Sequence, residues 1–160
     1  GSGQKILPVV DVCRPISDGN ALTSNRKKID KTFQVKYLLP IQAGIGQSVR
    51  VAYGERSPIL ETVQYVSNLK TIISSSKTGS NKLILVSDLL QHSESISSYK
   101  KQYQVPESLV ADLSNWDIHV LQPARYGKDK SFQTKQNNDM WKAYFKTSGV
   151  KSDVNIQVLP

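Results

Sequence analysis

Two aspartates that close two apolar runs are the residues of this chain best placed to do chemistry. Asp11 ends ILPVVDV (6–12), with Cys13 and Ser17 just beyond it. Ser87 and Asp88 end KLILVSD (82–88), with His92 and Ser93 following. Ser57, ahead of a helical apolar pattern, adds a further hydroxyl. Carboxylates and hydroxyls without clustered nitrogens or thiolates are the ligand set of a hard cation such as Mg²⁺. Asp11, Ser17, Ser57 and Asp88 are therefore the candidate metal ligands. The structural alternative is that strand-end aspartates accept loop N–H groups or cap the next helix.

A second chemistry is nucleophilic. Cys13 lies just past an apolar run with Arg14 adjacent, and both a helix N-terminus and a cation lower a thiol pKa. His92 is the base that could reach it in space. No phosphatase-type Cys-x5-Arg loop is present, and a lone cysteine beside a buried strand also serves as a small apolar filler. His92 and His119 are not spaced as a metal pair. Gly44-Ile45-Gly46 is too short for a phosphate-binding loop, and no Walker A or Gly-x-Gly-x-x-Gly motif occurs. No catalytic residue is assigned.

The third chemistry is charge. Net charge is +8, with +4 in residues 1–40, zero in 41–120 and +4 in 121–160. Arg125, Lys128, Lys130 and Lys135 interleave with Tyr126 and Phe132. Tyr99, Lys100, Lys101 and Tyr103 form a second mixed group. Cations among aromatics suit an acidic protein partner, or a single-stranded nucleic acid or other polyanion. Arg14, His92, Ser93, Arg125, Tyr126, Lys128, Lys130 and Lys135 are the candidate partner-binding residues.

Alternating strand and helix patterns must position these side chains. Strands are expected at 6–12, 48–53, 82–88, 117–122 and 154–159. Helices are expected at 22–38, from Ser57-Pro58 to Ile73, and from Asn138 or Asp139 to a stop at Gly149. Pro40, Gly44 and Gly46 mark a loop, and 74–81 and 123–137 mark two more. The unbroken Leu83–Val86 run predicts a strand buried on both faces. The fold class is α/β, a mostly parallel central sheet of five strands with helices on both faces. Ligands of such sheets bind at the carboxyl edge, where Asp11 and Asp88 would lie.

DVCRPIS after the first strand, SPILETV opening a helix, and LILVSDLLQHS together resemble a von Willebrand factor A (VWA) domain. In that family the first strand ends in Asp-x-Ser-x-Ser, a later loop supplies a threonine, and a later strand ends in aspartate. These hold Mg²⁺, and a partner's carboxylate completes the shell. The resemblance places Asp11 at the first aspartate and Asp88 at the later one. Cys13 and Pro15 stand where the two serines belong, and Ser57 stands in for the threonine. The resemblance thus implies a VWA-like domain with a degenerate metal site; no cofactor is expected, with Mg²⁺ left open. It implies a scaffold or adaptor, without enzymatic activity, in a larger bacterial-type assembly.

Length bounds the organisation. The 160 residues suit one domain over 4–160, after a Gly1-Ser2-Gly3 start that has the pattern of a cloning scar. The single cysteine excludes an internal disulfide. No apolar run reaches the ~20 residues that span a bilayer. A soluble domain of cytoplasm or periplasm is expected, with an anchor upstream of the chain left open.

Overall fold

The computed structural model describes Val10, Val12, Arg14, Pro15 and residues 25–51, 56–69 and 81–160, with the backbone alone at 48–51. The expected first strand, with Asp11, falls largely outside these residues, as do Cys13, Ser17 and Ile73. The chain divides into two compact units, residues 1–54 and 55–160.

In the first unit one helical run replaces three expected elements. Helix α1 spans Arg26–Phe33, a π turn spans Gln34–Leu38, and α2 spans Leu39–Val51. Asn25 caps the start, its side-chain oxygen accepting from the Lys28 N–H at 3.2 Å. The loop expected at Pro40, Gly44 and Gly46 is helical, and so are residues 48–51 of the strand expected at 48–53. Pro40 lacks an N–H and crowds the carbonyl four residues back, which ordinarily breaks a helix. Here the preceding π turn widens the spiral, with the Leu39 N–H reaching the Gln34 carbonyl five residues back. A helical glycine costs about 1 kcal/mol relative to alanine, so Gly44 and Gly46 weaken this helix without ending it. Phe33 and Tyr37 stack one turn apart with ring centroids 5.2 Å apart. The Arg14 guanidinium lies 5.9 Å from the Phe33 ring centroid.

The second unit is α/β. Helix α3 spans Ile59–Ser67, β1 spans Asn81–Val86, β2 spans Trp116–Pro123, α4 spans Lys135–Thr147 and β3 spans Ile156–Leu159. Among the described residues the sheet has three strands in the order β1-β2-β3, both pairs parallel. Leu83 pairs with Ile118 and Val120 with Ile156, so these side chains share one face. That face joins Ile59, Leu60 and Val63 of α3 and Met140, Trp141, Tyr144 and Phe145 of α4 in one core. Each such large apolar side chain, fully buried, is worth about 1.5–3 kcal/mol.

Two expectations are corrected here. β1 is not buried on both faces: Ile84 and Val86 are 60% and 62% exposed, beside exposed His119 of β2. Among the described residues of this unit, α3 and α4 both join the core on the opposite face. Apolar composition alone does not report which side of a strand is covered. The cap of α4 is Thr134 and not Asn138 or Asp139, because the Thr134 hydroxyl accepts from the Asn137 N–H at 3.2 Å. Gly149 does end this helix at φ +89°, with Val150 N–H bonding the Phe145 carbonyl and Gly149 N–H the Lys146 carbonyl. That pair of bonds is the Schellman arrangement.

Candidate functional site at the carboxyl edge of the sheet

The segment leaving β1 is built into the protein by its own polar atoms. Leu89 is buried and has φ +60°, a left-handed conformation that strains a leucine. The Leu89 carbonyl accepts from Asn137 Nδ2 at 3.0 Å and from Trp141 Nε1 at 2.8 Å, both on α4. Its N–H donates to Ser87 Oγ at 3.1 Å. The Asp88 carbonyl accepts from Gln122 Nε2 and Gln133 Nε2 at 3.2 and 3.1 Å. Fully buried Gln91 accepts from the Leu60 N–H at 2.9 Å and donates to Glu61 at 2.9 Å. Gln91 thereby satisfies an early N–H of α3 that Ser57 leaves unmet. The helix begins one residue later than expected, with Pro58 at the cap position and no side-chain cap bond.

The Asp88 carboxylate is engaged on both oxygens. Oδ1 accepts from the Leu90 N–H at 3.0 Å, as the loop-acceptor alternative expects. Oδ2 accepts from Arg125, just beyond β2, through Nε at 2.7 Å and Nη2 at 2.5 Å. Asp88 is 12% exposed and Arg125 47% exposed, so the pair is half sheltered. Gln133 braces it, its Oε1 accepting from the Arg125 N–H at 2.7 Å and its Nε2 donating to the Pro123 carbonyl at 2.9 Å.

Beside the pair runs a row of rings. His92 meets Tyr99 edge-on at 5.5 Å between centroids, and Tyr99 meets Phe132 at 4.9 Å. The Tyr99 phenol is held above the ordinary tyrosine range, first by burial, then by the Asp129 and Asp88 carboxylates, with Arg125 opposing. Ser57 and His92 bond backbone to backbone in both directions, at 2.9 and 2.8 Å. His92 Nδ1 lies 2.9 Å from Ser97 Oγ. A Ser–His contact can activate a nucleophile, but Ser97 is buried, so here the hydroxyl orients the ring. Ser93 Oγ accepts from the Ile96 N–H at 3.4 Å and serves a local turn.

The basic segment after β2 contains a short 3-10 helix, Gly127–Phe132, in place of the loop expected throughout 123–137. Lys128 and Lys130 are exposed on it, and Tyr126 is 77% exposed. Lys135 is paired with Asp139 one turn along α4 at 2.5 Å. Arg56, close to Ser57 in sequence, pairs with Glu94 at 2.6 Å.

The candidate metal ligands therefore do not come together in the described part of the molecule. Asp11 and Ser17 lie outside it, Ser57 pairs with His92, and Asp88 faces Arg125. No group of three His, Cys, Asp or Glu side chains suited to a metal occurs among the described residues. On Asp88 Oδ2 the Mg²⁺ of the resembled family would meet the Arg125 guanidinium, and Oδ1 already accepts from the Leu90 N–H. What the sequence reading treated as two separate features, a metal aspartate and a partner arginine, is one ion pair. The signal was the placement of Asp88 and Arg125 just past two strands, but joining them requires the strand order. Gln91, Asn137 and Gln133 carry no sequence signature, since their roles depend on which backbone groups are left unpaired.

Among the described residues no helix is long and apolar enough to cross a membrane. No protein-family model, no curated protein and no solved structure matches this chain.

Proposed function

We propose that this chain is a VWA-like interaction domain, a scaffold or adaptor within a larger assembly that performs no reaction of its own. The observation that carries this reading is the Asp88–Arg125 pair: the carboxylate that would hold the metal is already neutralised by the protein's own cation. Around it lie the features of a recognition surface, half-exposed rings and exposed cations on a rigid support. The exposed lysines Lys128 and Lys130 favour an acidic partner and raise its encounter rate.

Thermal melts test the reading. Millimolar MgCl2 or MnCl2 is expected to leave Tm where it is without metal. A rise in Tm that Asp88→Ala abolishes would show a working metal site and overturn the reading. Titration with single-stranded oligonucleotides at low salt separates the other class. Tight binding that weakens steeply with added salt would make the chain a polyanion binder instead.

A further inference from the structure

We infer that the free side of the Arg125 guanidinium receives a single carboxylate, an Asp or Glu set in an otherwise apolar segment of a protein partner. This rests on the interaction-domain reading and names the chemistry that the domain recognises.

A guanidinium carries five N–H donors in a planar fork. Nε–H and one Nη2–H of Arg125 go to Asp88 Oδ2. The remaining three have no acceptor among the described residues, and the side chain is half exposed. The buried-side contact fixes the plane and direction of the fork before any ligand arrives. An arginine held in this way loses less side-chain entropy on binding than a free surface cation. Its outer edge matches the two oxygens of a carboxylate.

The neighbours decide which anion fits. Tyr126, Tyr99 and Phe132 offer ring surface to apolar side chains that flank the acid. Residues 125–130 and Asp88 together set Arg125, Lys128 and Lys130 against Asp88 and Asp129, one net positive charge, with Lys100 and Lys101 lying beyond Tyr99. One carboxylate balances that. A nucleic-acid backbone, with a charge about every 1.7 Å of duplex axis, would press several phosphates against two resident carboxylates. Lys142 and Lys146 of α4, which form no salt bridge among the described residues, line an open groove of about 550 Å³ together with Asp153. Lys146, in the last turn, complements the helix C-terminus, and the two lysines serve as the control.

The test is amide and arginine Nε–H NMR of the whole chain, titrated with a blocked pentapeptide of alanine and leucine carrying one central glutamate. The glutamine isostere and a single-stranded oligonucleotide are run alongside. The glutamate peptide is expected to shift the Arg125 Nε–H and the amides of 125–132 saturably. The glutamine peptide, and the glutamate peptide against Arg125→Lys, should bind about tenfold more weakly, the worth of one charge-assisted fork. Lys142→Gln with Lys146→Gln should leave the binding unchanged. Equal binding of the two peptides, undiminished binding by a folded Arg125→Lys variant, or no saturable shift overturns the inference while the interaction-domain reading stands. Tighter binding of the oligonucleotide at the same resonances overturns both, and Mn²⁺ bound at Asp88 overturns the reading directly.

Discussion

The segments that leave β1 and β2 emerge at the same edge of the sheet and are built in opposite ways. Residues 87–91 turn inward: Leu89, Leu90 and Gln91 are buried, the Gln91 side chain bonds α3 and the Leu89 carbonyl bonds α4. Residues 124–133 turn outward, with Tyr126, Lys128 and Lys130 exposed. The inward segment tolerates a left-handed leucine because its carbonyl is held by two donors from α4. The outward segment touches the first chiefly through Arg125 and Gln133. Rigidity and presentation are thus divided between two neighbouring loops, and the ion pair is the joint between them.

That division gives graded expectations. Removing the indole that anchors the inward segment should do most damage. Trp141→Ala is expected to cost about 3–5 kcal/mol by urea unfolding, from lost packing and a Leu89 carbonyl left one donor short, whereas Tyr126→Ala should stay within about 0.5 kcal/mol. Equal costs would erase the contrast between the segments. Next, Asn137→Ala leaves the Leu89 carbonyl one donor short and the Ser98 hydroxyl without its acceptor. A loss of about 1–3 kcal/mol is expected, with faster amide exchange across 89–98. Cutting the joint should matter less: Arg125→Ala is expected to cost about 1 kcal/mol or less, as for a half-exposed pair, and to loosen 124–133 without disturbing 89–91. Amide exchange resolves those two outcomes.

The smallest expected effect is electrostatic. Arg125→Ala should raise the Tyr99 pKa further, because it removes the one nearby cation that lowers it, and Asp129→Asn should lower it. Titration of the Tyr99 ring by NMR reads both. Because the folded value lies above the unfolded one, Tyr99 contributes stability that is fully present below about pH 10. That contribution is lost as pH rises from there through the folded value. An unshifted Tyr99 titration in both variants would mean that Tyr99 does not sense the outward segment.

Local chemistry made several elements legible in the sequence. Met140, Trp141, Tyr144 and Phe145 recur at helical spacing, and Gly149 supplies the positive φ that ends their helix. The strands expected at 117–122 and 154–159 are β2 and β3 in all but their ends. Other signals were outweighed by neighbours. Pro40 and two glycines read as a loop, because their individual costs are local and the π turn that absorbs the proline has no residue signature. Leu83–Val86 reads as doubly buried, because hydrophobicity states what a side chain prefers and not whether anything covers it.

The same limit applies at the candidate site. By itself the sequence determined an α/β chain, a strand end at Ser87 and Asp88 rich in oxygen and charge, and a basic segment with aromatic residues after β2. Those follow from residue type and spacing, which act over a few positions. Only the tertiary structure decided that Asp88 faces Arg125, that Ser97 orients His92 from a buried position, and that buried amides at 91 and 137 tie the first loop to two helices. Each of these joins residues 5 to 48 positions apart. Which charge neutralises which is set by strand order and register, and those exist only once the parallel pairs have formed.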